Sequence, residues 1–117
     1  DDHAFWRSLR EHDGGFFAAA PVLWRVNLPA STPPLALEAP ACVEWNGAQR
    51  WYGDVDAGRL QALAAAAGGH VTCFRGAPAG AEVFAPLAPA LLSLHRRLKA
   101  VFDPAGILNP GRMYAGL

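Results

Sequence analysis

The sequence predicts an α+β domain: a small, mainly antiparallel sheet covered by helices. Three observations carry that expectation. Apolar and polar residues alternate through residues 22–28 and 70–76, as in half-buried strands. Apolar residues recur at helical spacing through residues 57–67 and 85–102. Turn-forming Gly, Pro, Asn and Asp stand between these segments.

The first element is a helix over 2–12, with Phe5, Trp6 and Leu9 on one stripe, acids at its start, and Asp13-Gly14-Gly15 as its stop. In the strand at 22–28, Val22, Trp24, Val26 and Leu28 share one face, and Leu23, Arg25 and Asn27 the other. Residues 29–40, PASTPPLALEAP, are Pro-rich and aperiodic and read as a connection between strands. A second strand follows over 41–53. Its Asn46-Gly47 pair suits a bulge or a tight hairpin, and the bulge is the reading adopted. Asp54 or Asp56 caps a helix through 57–67 that turns Leu60, Leu63, Ala64 and Ala67 inward, and Gly68-Gly69 supply a left-handed exit. A third strand spans 70–76. The last helix, 85–102, carries Leu87, Leu91, Leu94, Leu98 and Val101 on one stripe. Beyond it, Asp103-Pro104, Gly106 and Asn109-Pro110-Gly111 turn the chain twice into a hook. This order suggests a ferredoxin-like half. Three strands leave open edges, which a further strand from upstream would complete.

At 117 residues the chain suits a single domain, and its start at Asp1 rather than Met leads us to expect a part of a longer protein. Charged residues are 17% of the chain and cancel to a net charge of zero, so no nucleic-acid footprint is expected, while 52% apolar residues point to a partner surface. Cys42 and Cys73 form no CxxC, and His3, His12, His70 and His95 never fall at ligand spacing, so no metal site is expected. Both cysteines read as buried thiols. No Ser or Cys comes with a recognisable base or elbow, and no GxGxxG is present. We therefore assign no catalytic residue, and no dinucleotide site to this domain by itself. No apolar run is long enough for a membrane helix, and the start DDHAFWRS lacks signal-peptide order, so a cytoplasmic protein is expected.

Each strand carries one arginine: Arg25 in LWRVN, Arg50 in AQRWY and Arg75 in CFRG. Two readings stay open. The guanidiniums hold a carboxylate or phosphate in bidentate geometry, or each is a solvated or ion-paired surface group. Arg50 ranks first as a ligand anchor because Trp45, Gln49, Trp51 and Tyr52 surround it in sequence, with Arg25 in reserve. Trp45, Trp51, Arg50 and Arg25 are expected on one exposed sheet face, which would make the isolated domain self-associate.

The tail LKAVFDPAGILNPGRM resembles the C-terminal signature of FAD-linked oxidases of the vanillyl-alcohol oxidase type. LREHDGGFF, PVLWRVNLP, EWNGAQRWYG and GGHVTCFRG narrow the resemblance to the flavin subunits of bacterial glycolate oxidases, over essentially the whole chain. The resemblance implies that residues 1–117 are a C-terminal cap and substrate domain, with FAD held mainly by an N-terminal domain outside this chain. It implies a 2-hydroxy acid such as glycolate as substrate, glyoxylate as product, and a sister flavin subunit and an iron-sulfur subunit as partners. The complex would sit in the cytoplasm or peripherally on the inner membrane, and the fragment alone would be inactive. The implied substrate-binding residues are Arg50, Gln49, Trp45 and Arg25. Asn109 and Arg112, in a hook that clasps the FAD domain, would touch the cofactor. The alternative is a stand-alone ferredoxin-like ligand-binding or regulatory module without catalysis.

Overall fold

In a computed structural model, which describes residues 2–79 and 81–117, the elements run α1 (Asp2–Glu11), α2 (Gly15–Ala18), β1 (Leu23–Asn27), β2 (Ala41–Glu44), β3 (Gln49–Gly53), α3 (Ala57–Ala66), β4 (His70–Arg75) and α4 (Pro89–Phe102). The architecture is α+β, as the alternation predicts. The four strands form one open antiparallel sheet in the order β2-β3-β1-β4. Because β3 and β4 both run antiparallel to β1 and lie on either side of it, β3-α3-β4 is a split crossover with β1 inserted.

The second predicted strand is two strands. Trp45, Asn46 and Gly47 all take positive φ, at 51°, 53° and 92°, and reverse the chain in a 3-10 turn, so Glu44 pairs with Gln49 in a hairpin. The bulge reading is thereby corrected: three consecutive left-handed residues reverse a chain, whereas a bulge only bends it. The turn is seated tightly, since a Cβ on Gly47 would lie 2.9 Å from the Ala30 carbonyl oxygen.

Helix α3 begins where Asp56 accepts the Arg59 amide at 2.7 Å, while Asp54 instead accepts the Val22 amide at 3.2 Å. Gly68, at φ 76°, and Gly69 close it, donating to Ala65 and Ala64 at 3.0 and 2.8 Å in the pattern expected of a left-handed exit. One sheet face buries Trp24, Val26, Tyr52, Val71 and Cys73 with Leu28 against Leu60 and Ala64 of α3. The opposite face is covered in part by the N-terminal segment, where Phe17 and Ala20 pack on Leu23 and Trp51, with Leu9, Phe16 and Cys42 around them.

Of the two predicted apolar stripes, only Leu9 of the first reaches a core. Phe5 and Trp6 on α1 are 58% and 66% exposed, and α1 and α4 bury no residue. Helix α4 starts at Pro89 rather than 85, because the chain before it lies along β4: Phe84 bridges Thr72, Cys73 donates to Val83 at 2.8 Å, and Ala85 to Val71 at 3.3 Å. With α4 and the hook off the sheet, the molecule extends 50 × 30 × 27 Å. Its radius of gyration is 16.5 Å, against about 13 Å for a compact domain of this length.

Candidate functional site

Neighbouring residues of a strand face opposite sides of the sheet, so Gln49 and Arg50 cannot flank one ligand. By the strand register, Arg50 shares the α3 face with Val26, while Arg25, Asn27, Gln49, Trp51, Thr72 and Phe74 share the other. The four residues expected around one substrate are thus divided, and with them the expected exposed face. Trp51 is 1% and Arg50 5% exposed, buried within the domain, while Trp45 stands out at the hairpin tip, 78% exposed.

The three strand arginines have different roles. Arg50 donates through Nε to the Gly47 carbonyl at 3.2 Å, through Nη1 to that of Pro33 at 2.8 Å, and through Nη2 to that of Thr32, pinning the 29–40 connection and the hairpin turn. Arg75 donates to the carbonyls of Phe17, Ala20 (3.2 Å) and His12 (3.5 Å), holding the N-terminal segment on the sheet. Arg25 has no such carbonyl cradle. It pairs with Trp51 on one side and Thr72 on the other, its Nε is buried without a hydrogen-bond partner, and its guanidinium carbon lies 5.9 Å from the centre of the Phe74 ring. It is a cation at the centre of a sheet face with donors to spare.

Around Arg25 the face is polar below and aromatic above. Glu44 Oε2 accepts both Trp51 Nε1 at 2.6 Å and Gln49 Nε2 at 2.9 Å. Spending its amide nitrogen on Glu44 leaves Gln49 with Oε1 as an acceptor. Gln49 is the diagonal neighbour of Arg25 across β1 and β3, a separation of about 7–8 Å in antiparallel sheets. Asn27 Nδ2 and His70 Nε2 lie 3.3 Å apart on the same face. Phe74 stacks edge-on to Trp51, with centroids 5.0 Å apart, and His12 lies against both rings at 5.2 and 4.6 Å.

Both hook residues singled out from the sequence, Asn109 and Arg112, are exposed, and Asn109 takes φ 46°. They line a recess of about 450 Å³ with His95, Lys99 and Tyr114. A chain of neighbours relates the hook to the Arg25 face: Arg25 pairs with Thr72, Thr72 bridges Phe84, and the Phe84 ring lies 5.9 Å from Tyr114. The hook itself closes on Asp103, whose carboxylate accepts Lys99 Nζ at 2.7 Å and the amides of Ile107 and Leu108 at 3.0 and 2.9 Å. The Lys99 ammonium, above all, and the Leu108 and Ile107 amides hold the Asp103 carboxyl below its usual range, against the opposing effect of burial. Burial pushes both thiols up; the Glu44 charge adds to the effect at Cys42, and a hydrogen bond with the Arg75 backbone opposes it at Cys73.

Phe74, Glu44 and the Asp103 clamp escaped the sequence reading. Two signals for them were present: a large aromatic at a polar position of an alternating strand, and the one lysine of the chain four residues before Asp103. Among the described residues, no three His, Cys, Asp or Glu side chains gather as a metal site, and no helix is long and apolar enough to cross a membrane.

Residues 39–113 match the family described as FAD linked oxidases, C-terminal domain. The glycolate oxidase subunit GlcE of Escherichia coli (strain K12) is 40% identical over 114 residues, which is 97% of this chain and 32% of that protein. The chain therefore spans about a third of the length of this relative. No solved structure matches.

Proposed function

Since the chain belongs to the FAD-linked oxidases, as a C-terminal domain of that family, we propose that it is the cap of a flavin subunit that oxidises glycolate or a similar 2-hydroxy acid to the 2-oxo acid. One observation supports this reading above the others: Arg25, with a buried and unsatisfied Nε, sits on the same sheet face as the free acceptor oxygen of Gln49. A 2-hydroxy acid carries a carboxylate and a hydroxyl on adjacent carbons. The guanidinium takes the carboxylate with parallel charge-assisted bonds, and Gln49 Oε1 accepts from the hydroxyl. Glu44 fixes the Gln49 amide so that this oxygen is already turned to the substrate, and Trp51, buried beneath, holds Glu44 in turn.

FAD, where bound, supplies the two-electron acceptor for the hydrogen on the hydroxyl-bearing carbon. The residues here fit one side of such a group. Phe74 offers an exposed aromatic ring beside the arginine, and Asn109 and Arg112 share a recess with Tyr114, whose ring lies against Phe84. The pyrophosphate would be held elsewhere in the longer protein, because this sequence has no glycine-rich strand-to-helix turn to cradle it. The remaining polypeptide and the electron-accepting subunits, a sister flavin subunit and an iron-sulfur subunit, complete the proposed assembly.

The test is Arg25→Lys in the full-length subunit within its complex. Glycolate turnover should fall roughly tenfold or more with flavin content unchanged, the scale of losing one oriented donor. Unchanged kinetics would move the substrate site off this face, and loss of flavin would make Arg25 a cofactor anchor instead.

A further inference from the structure

The recess between α4 and the hook is lined by polar groups that the Arg25 face does not use, and its walls are tied together. Lys99 Nζ donates to the Leu108 carbonyl, and the Arg112 amide donates to that of Asn109 at 3.1 Å, so Asn109 and Arg112 stand at the two ends of one closed turn. The Gly111 amide donates to the Leu117 carbonyl and fastens that residue to the same turn. Within this frame several donors are free. Arg112 makes no side-chain hydrogen bond or ion pair among the described residues, which leaves the five N–H groups of its planar fork open. His95 donates through Nδ1 to the Leu91 carbonyl at 2.8 Å and keeps Nε2 free, and its ring lies 6.3 Å from that of Tyr114. Lys99, held by Asp103 and Leu108, retains one of its three protons. Leu108 and Met113 line the same recess with exposed apolar surface.

We infer that this recess is a second ligand site, separate from the Arg25 face, for a small monocarboxylate that carries an apolar or aromatic body. The charge balance selects a single negative charge. Lys99 is already paired with Asp103 at 2.7 Å, so Arg112 is the one permanent cation of the recess without a counter-charge among the described residues. A carboxylate matches that guanidinium with two parallel charge-assisted bonds, whereas a phosphate brings further charge that no free cation there meets. Asn109 and the remaining Lys99 proton stand beside the anion, and the hydrocarbon part lies on Leu108 and on Met113, whose thioether adapts to flat or branched shapes. A volume of about 450 Å³ accommodates a ligand of this size. The site goes beyond the substrate reading and does not depend on it, since no residue is shared with the Arg25 face.

Isothermal titration of the full-length subunit, with benzoate and inorganic phosphate as probes, tests the inference. The titrations use an Arg25→Ala background, so that a carboxylate on the Arg25 face does not contribute. One benzoate per subunit should bind, about tenfold or more tighter than phosphate. Arg112→Ala should weaken benzoate by about tenfold or more, the scale of losing a charge-assisted pair. Met113→Asp, which sets a negative charge on the apolar lining and leaves Arg112 in place, should weaken it to a similar degree. No benzoate binding, or binding that neither substitution changes, would overturn the proposal. Phosphate bound as tightly as benzoate would overturn the choice of a monocarboxylate. Flavin absorbance of each preparation supplies the last check: loss of flavin from Arg112→Ala would make that residue a cofactor contact and remove the separate site.

Discussion

Truncating Arg50 to alanine would leave the carbonyls of Thr32, Pro33 and Gly47 without their shared donor, and an unsatisfied buried group costs roughly 1–3 kcal/mol. We expect Arg50→Ala to destabilise the full-length subunit by about 3 kcal/mol in urea unfolding. Arg25→Ala is expected within about 1 kcal/mol of wild type, because it removes a buried nitrogen that has no partner. The two variants should therefore separate stability from turnover: Arg50→Ala lowers the unfolding midpoint, and Arg25→Ala abolishes carboxylate binding at a normal midpoint. An unfolding midpoint for Arg50→Ala equal to wild type would contradict the anchor assignment. The sequence presents three arginines in similar strand contexts, and the aromatic neighbours that put Arg50 first say nothing of what each guanidinium meets. Their roles depend on which carbonyls converge on each guanidinium, and all of those but the Gly47 carbonyl belong to segments 17 to 63 residues away in the chain.

Elements were legible where local rules act alone. The helix at Ala57–Ala66 follows from its Asp56 cap and its glycine exit, and β1 and β4 follow from alternation. The hairpin at Trp45–Gly47 was hidden because Asn-Gly serves both a bulge and a reversal, and the extra left-handed residue is a tryptophan, a type rarely found there. Residues 85–88 were absorbed into the last helix because Leu87 continues its stripe, whereas the chain over 83–85 pairs with β4 instead. Gly69 shows how closely these elements meet, as a Cβ there would fall 2.2 Å from the Asn27 carbonyl oxygen. Gly69→Ala should push β4 from β1 and cost about 2 kcal/mol or more, read by thermal unfolding. The hook has its own pH dependence. Because the Asp103 carboxyl is held below its usual range, its contribution is present above about pH 4 and is lost as pH falls through the lowered value. Protection of the Ile107 and Leu108 amides, taken relative to the intrinsic exchange rate at each pH, should fall on acidification below that range, and Asp103→Asn should lower it at pH 7; protection that changes in neither case would exclude the clamp.

At the scale of the molecule, α4 and the hook present Leu91, Leu94, Leu98, Val101, Phe102, Ile107 and Leu108 to solvent, each at least 44% exposed. Residues 89–117 hold four cations, Arg96, Arg97, Lys99 and Arg112, and one acid, Asp103, in a chain whose net charge is zero. The expected partner face is therefore apolar with an acidic rim, in keeping with the proposed clasp on the FAD domain. Replacing Leu94 and Leu98 by glutamate should lower the melting temperature of the full-length flavin subunit by several degrees and weaken flavin retention; a double variant with wild-type melting would show that this face is free. The apolar stripe itself was legible in the sequence, but what it covers was not, because periodicity reports that a face is buried and not against what. The central position of β1 has one more consequence, for synthesis. Leu23–Asn27 leaves the ribosome before both strands that flank it, and His70–Arg75 follows more than 40 residues later. Until Gly53 is made, the nascent strand LWRVN has neither neighbour, and from there until β4 emerges it has one edge unpaired. The chain is therefore most exposed to aggregation and most dependent on holding chaperones before β4 emerges, and stalling translation between residues 53 and 70 should trap a state far stickier than the finished domain.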